Sequence, residues 1–165
     1  MRTLFLALSI CFIGATAFSQ SKTAHINYSE LILLMPETAE ADQALDELTK
    51  KYQQQLTKLD QEYNQKVESF NAEESTLTGA MRELKLKEIK DLEETYQNFL
   101  AAAKKEIAER DKELFTPIFE KAKQAVAEVA KSKGYAYVAD SSKDNYVYMD
   151  PKDDIMELVK KKLGL

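Results

Sequence analysis

The chain has 165 residues, with 28 acidic and 23 basic side chains, a formal charge of −5, one histidine and one cysteine. That balance gives no general attraction for nucleic acid or anionic lipid, and single Cys and His residues rule out a disulfide framework or a His/Cys metal set. Four glycines and three prolines among abundant Glu, Lys, Gln and Ala make a composition suited to long helices.

Residues 1–19 read as a secretory signal peptide. Arg2 supplies positive charge, Leu4 to Ile13 form an apolar run broken by Ser9, and Ala17 and Ser19 fit a cleavage site that leaves Gln20 first. The run is too short to span a bilayer. The rival reading, a lipoprotein signal ending at Cys11, places that cysteine inside the apolar run behind bulky Ile10. Cleavage at Gln20 removes Cys11 and Arg2, so the expected product is a thiol-free, more acidic, soluble periplasmic protein.

"TAHINY", Thr23 to Tyr28, alternates weakly and reads as a strand; His25 within it fits a structural role better than a ligand role. "SELILLM" follows as a short helix with Ser29 as its cap. From Pro36 to Lys133 the strong breakers are Gly79 and Pro117. Leu45, Leu48, Tyr52, Leu56, Leu59, Tyr63, Val67 and Phe70 form a stripe with steps of three, four and four. That is an eleven-residue period, which keeps a stripe nearly straight on a helix. Leu92, Tyr96, Phe99, Ala103, Ile107, Arg110, Leu114 and Ile118 repeat it.

The two stripes interlock as an antiparallel helical hairpin. Leu48 faces Ile107, Tyr52 faces Ala103, Leu56 faces Phe99, Leu59 faces Tyr96 and Tyr63 faces Leu92, which puts the midpoint between Leu77 and Thr78 in "STLTG". Each arm is then roughly 60 Å long. Glu74, Lys85 and Glu88 take stripe positions near the tip, so the distal third is expected to zip loosely.

Tyr135 to Ala139 and Tyr146 to Met149 alternate at period two around "SSKDN" and predict a β-hairpin pairing with the N-terminal strand. Pro151 is expected to open a last helix, with Ile155, Leu158, Val159 and Leu163 on its apolar face. The fold class is therefore α+β, mostly α. Residues 20–36 and 117–165 make a small head, and 37–116 a helical arm with its tip near 76–79. A head of that size buries a marginal core, which predicts oligomerisation through Ile26, Tyr28, Tyr137, Val138, Tyr146 and Val147.

This order of elements resembles the Skp/OmpH periplasmic chaperones over essentially the whole secreted chain. The flanking segments "KTAHINYSELILLMPE" and "PIFEKAKQAVAEVAKSKGYAYVAD" carry the resemblance. It implies a homotrimer with a β-sheet body and three helical-hairpin tentacles around a cavity. It also implies ATP-independent holding of unfolded outer-membrane proteins against aggregation. Leu77, Leu86, Leu100 and Phe119 are apolar positions off the stripe and are the candidate client contacts. The alternative is a structural coiled-coil adaptor or spacer of the envelope.

No nucleophile, phosphate-loop, cofactor or metal motif occurs, so no catalytic, cofactor-binding or metal residues are assigned and the chain does not read as an enzyme. The resemblance also implies basic relatives that recognise lipopolysaccharide, whereas "RELKLKEIKDLEE" interleaves its signs. Weak or no lipopolysaccharide binding is expected, with Lys85, Lys87 and Lys90 the one local basic strip. N-terminal sequencing of native protein should begin at Gln20. A lipid-modified Cys11 would overturn that assignment.

Overall fold

The computed structural model describes residues 22–143 and 145–165, so the signal-peptide and cleavage readings lie outside the described residues. In chain order the elements are strand β1 (Thr23–Ile26), helix α1 (Tyr28–Leu34), helix α2 (Pro36–Glu73), a 3-10 turn (Glu74–Thr76), helix α3 (Gly79–Lys133), strand β2 (Tyr137–Asp140), a 3-10 turn (Pro151–Asp153) and helix α4 (Met156–Leu163). The fold is mostly helical, with one two-stranded sheet among the described residues. Its described residues divide into two compact units: Ser29–Gln124, and residues 22–28 together with Ala125–Gly164.

Within Ser29–Gln124, Met35 is extended and Pro36 opens α2, where its missing N–H costs nothing. The Thr38 hydroxyl donates to the Ile32 carbonyl at 2.6 Å and fixes the bend between α1 and α2. At the other end, Leu77 is extended and Thr78 caps α3. Its carbonyl accepts from Arg82 N–H at 2.9 Å and its hydroxyl oxygen from Met81 N–H at 3.4 Å.

The stripes face each other. Leu56, Phe70, Ala103 and Ile118 are buried, the remaining apolar stripe positions are half-buried, and Arg110 is exposed. Tyr52 meets Phe99 edge-on at 5.7 Å between ring centroids, and its hydroxyl bonds the Glu106 carboxylate, which raises the phenol pKa. Tyr52 thus spans the level of buried Ala103, its expected partner.

Ion pairs between the arms give a second reading of register. Lys66 pairs with Glu88 where Ile89 was expected, Glu74 with Arg82 where Met81 was expected, and Glu73 with Lys85 where Arg82 was expected. Glu37 pairs with Lys121, near the expected Ile118. Each offset is within about one helical turn. Three of these pairs lie in the distal third, where charged side chains replace the apolar stripe and bridge the arms directly.

Pro117 does not end a helix: α3 runs through it to Lys133. The ring leaves the Glu113 carbonyl without its usual N–H partner, a cost that the surrounding turns absorb. Gly134, at φ 72°, closes α3 in a Schellman arrangement, with Tyr135 N–H on the Ala130 carbonyl at 3.0 Å and Gly134 N–H on Lys131 at 3.3 Å.

In the other unit, β1 and β2 are parallel, pairing Thr23 with Tyr137 and Ile26 with Asp140. The expected hairpin does not form, and Tyr146 to Met149 joins no strand among the described residues. The reason lies in the preceding helix: α3 delivers β2 alongside β1 in the same direction, and the far edge of β1 goes to Asp154 and Ile155 instead. His25 bridges Asp154 there, and Ile155 N–H donates to the His25 carbonyl at 3.0 Å. That bond also delays the last helix. Pro151 opens only a 3-10 turn, capped by Asp150, and α4 starts at Met156, whose N–H is held by the Asp154 carboxylate at 2.8 Å. Ile155 and Val159 are buried while Leu158 is 39% exposed, so the apolar face is narrower than expected.

Ser29 is not the cap of α1. The Tyr28 N–H donates instead to the Asp140 carboxylate at 3.2 Å, which also accepts the Ser142 N–H and hydroxyl. Burial pushes the Asp140 pKa up, but the Ser142 and Tyr28 hydrogen bonds outweigh it and the net shift is downward.

The distal ion pairs carry a testable consequence. Hydrogen bonds from Lys85 and Lys66 hold the Glu73 and Glu88 carboxyls below their usual 4.5. A depressed carboxylate stabilises the fold above its unfolded pKa and loses that contribution as pH falls through the folded value. Amide protection factors over residues 62–92, corrected for intrinsic exchange, should therefore fall below about pH 4.5 and on raising salt, while those of residues 45–60 change little. Equal responses in both stretches would mean that the bridges do not hold the distal arms.

Candidate subunit and client surfaces

The unit containing the sheet presents an aromatic surface. Tyr137, Tyr146 and Tyr148 line a groove of about 440 Å³ with His25, Met149 and Asp150. Tyr146 and Tyr148 share the groove, and Val147 between them is fully exposed, so the period-two alternation survives without a strand partner. The sheet has the order β1–β2, leaving the outer edge of β2 unpaired among the described residues.

The six expected subunit-contact residues fall in different environments. Tyr137, Tyr146 and Val147 are exposed, Tyr28 and Val138 are half-buried, and Ile26 is only 2% exposed. Ile26 packs inside its own protomer, because β1 alternates with Ala24 and Ile26 on the buried side. Sequence reasoning missed Tyr148, 77% exposed, although the same alternation that marks Tyr146 marks it too.

The four expected client-contact residues lie on the Ser29–Gln124 unit. Leu86 and Phe119 are exposed, while Leu77 and Leu100 are half-buried. Phe119 leans on Phe115, with ring centroids 6.1 Å apart. Leu33, Leu34, Met81 and Leu84 were missed and are comparably open, from 45% to 73%. The first two hide in the run "LILL", where helical rotation buries Leu31 and Ile32 and turns their neighbours outward. Met81 and Leu84 begin α3 beyond the last apolar stripe position, so no periodic signal separates them from core residues.

The grooves between the arms mix charged and apolar side chains. One of about 500 Å³ runs along Glu47, Lys51, Glu106, Glu109, Arg110 and Glu113 with Ala44 and Leu48, and another sets Glu37, Glu40 and Lys121 beside Leu114 and Ile118. Lys85 is committed to Glu73 and Ser69, so the basic strip with Lys87 and Lys90 loses its first member. Among the described residues, no cluster of three or more His, Cys, Asp or Glu is placed to hold a metal, and no helix is long and apolar enough to cross a membrane.

The comparisons agree with this architecture. A crystal structure described as an OmpH-like outer membrane chaperone from Caulobacter crescentus CB15 superposes with a TM-score of 0.72 at 12% identity, covering 92% of this chain and 89% of that one. At that identity the likeness shows the fold. A search of curated proteins found no match. The profile of the family described as "Outer membrane protein (OmpH-like)" matches residues 22–163. With both flanking segments and both arms inside that match, the chain belongs to the OmpH-like family.

Proposed function

We propose that this protein is an ATP-independent periplasmic holdase, a homotrimer that binds unfolded outer-membrane proteins between its helical arms and keeps them from aggregating. Membership of a family tied to outer-membrane chaperones supports a chaperone role. The observation that carries the finer reading is the distribution of apolar surface. Exposed Leu33, Met81, Leu84, Leu86 and Phe119 are spread along the helices, while the inter-arm grooves mix charged and apolar side chains. Dispersed apolar points suit an extended, unfolded chain better than a compact ligand.

The trimer reading rests on two incomplete features. The outer edge of β2 lacks a neighbour, and Tyr146 to Tyr148 has strand alternation without a strand. Pairing that segment with β2 of another copy would satisfy both. Val147→Asp would then place a charge in a strand contact without touching the protomer core. Sedimentation should show the trimer dissociating while helical content is unchanged; an intact trimer removes Val147 from the interface.

An unfolded β-barrel membrane protein diluted from denaturant should scatter light when alone and stay clear with this protein present. Unchanged scattering would favour the coiled-coil adaptor or spacer. Protection should persist from about 50 to about 500 mM salt, because apolar contacts do not depend on ion release. Collapse with salt would replace apolar contact with electrostatic capture.

A further inference from the structure

His25 is the only histidine in the chain, and one of its ring nitrogens has no use in the fold described above. Nε2 lies 3.0 Å from the Asp150 carbonyl. A carbonyl only accepts, so Nε2 must carry the proton and the neutral ring leaves Nδ1 bare. Nδ1 is buried with no hydrogen-bond partner. The backbone of the same residue accepts Ile155 N–H at 3.0 Å and bridges Asp154. One residue therefore holds the segment from Asp150 to Ile155 against β1 by both side chain and main chain.

The surroundings of the ring are unevenly charged. Tyr137 comes from β2, Tyr146, Tyr148 and Asp150 from the connecting segment, and Asp153 from the 3-10 turn. The Asp150 and Asp154 carboxylates already accept N–H groups from Lys152 and Met156. Ala139, the strand neighbour of His25, brings no charge. In its present seat, protonation would bury a charged N–H at Nδ1 with nothing to accept it. Such a donor is far costlier than the bare lone pair it replaces. The way to gain the charge and lose the penalty is to turn the ring out of its seat, which gives up the Asp150 carbonyl.

We propose that His25 is a proton-operated latch: protonation at Nδ1 turns the ring outward and frees the segment from Asp150 to Ile155 from β1. The latch lies within one chain and is independent of client binding. Imidazole changes charge between about pH 8 and pH 5, so acidification over that range is the trigger.

Amide exchange of the full protein reads it directly. The protection factor of the Ile155 amide, corrected for intrinsic exchange, should fall about tenfold over that range, while that of Tyr135 at the end of α3 holds. A flat Ile155 profile overturns the latch, as does an equal fall at Tyr135, which would be general loosening. His25→Gln keeps a donor for the Asp150 carbonyl but cannot become charged, so its Ile155 protection should not vary with pH. A fall matching the wild type would move the effect to the carboxylates and overturn the proposal. Should that variant not fold, the wild-type His25 ring resonance decides. Its titration midpoint must coincide with the midpoint for Ile155, and a gap above about one pH unit overturns the latch.

Discussion

Parallel pairing of β1 with β2 is the constraint on which the rest of the chain depends. Antiparallel strands close with a tight turn, whereas parallel strands require the chain to leave and come back in the same direction. Here the crossover is the entire run α1, α2, turn and α3. Asp140 secures that return: its carboxylate at the end of β2 holds the N–H of Tyr28, where the outward journey begins. The sheet is small, but it defines where a long helical excursion must start and finish.

Along the arms two kinds of contact share the work. Nearer the chain ends the stripe is apolar and pairs such as Tyr52 with Phe99 interlock. From Lys66 toward the tip ion pairs join it: Lys66 with Glu88, Glu73 with Lys85 and Glu74 with Arg82. Exposed ion pairs contribute little each and exchange readily with water. They specify register without committing the distal arms to a dry interface. Four of the arm cations, Lys66, Arg82, Lys85 and Lys121, are committed to carboxylates of the facing arm.

The arms were legible because an eleven-residue stripe is local and repetitive, so every step repeats the same information and the turn follows from symmetry. Strand pairing was not. "NYVYMD" has strand alternation, but alternation says only which side chains share a face, not which backbone will accept the bonds. The start of α4 was misread for a similar reason. Pro151 is a sound helix opener locally, yet the Ile155 amide is claimed by His25, 130 positions earlier in the chain. The cap of α1 follows the same rule, since Ser29 has the right chemistry and Asp140 has the right place. In these backbone cases a distant residue took a bond that a near one was equipped to make.

The magnitude of the exposed apolar surface limits what a single chain can hold. A partly exposed Leu, Met or Phe yields about 1 kcal/mol when covered, at roughly 25 cal/mol per Å². Leu33, Leu34, Met81, Leu84, Leu86 and Phe119 together offer about 6 kcal/mol if all are engaged. Bringing two molecules together costs an estimated 4–15 kcal/mol, so contacts on one protomer barely offset the loss of freedom. In the proposed trimer, a second and third set of arms around the same unfolded chain would add contacts without repeating that full cost. If the protein is the proposed holdase, weak points on each protomer make oligomerisation a condition for retention. The same weakness would then leave release easy, because a client that folds withdraws its apolar segments from several weak contacts at once.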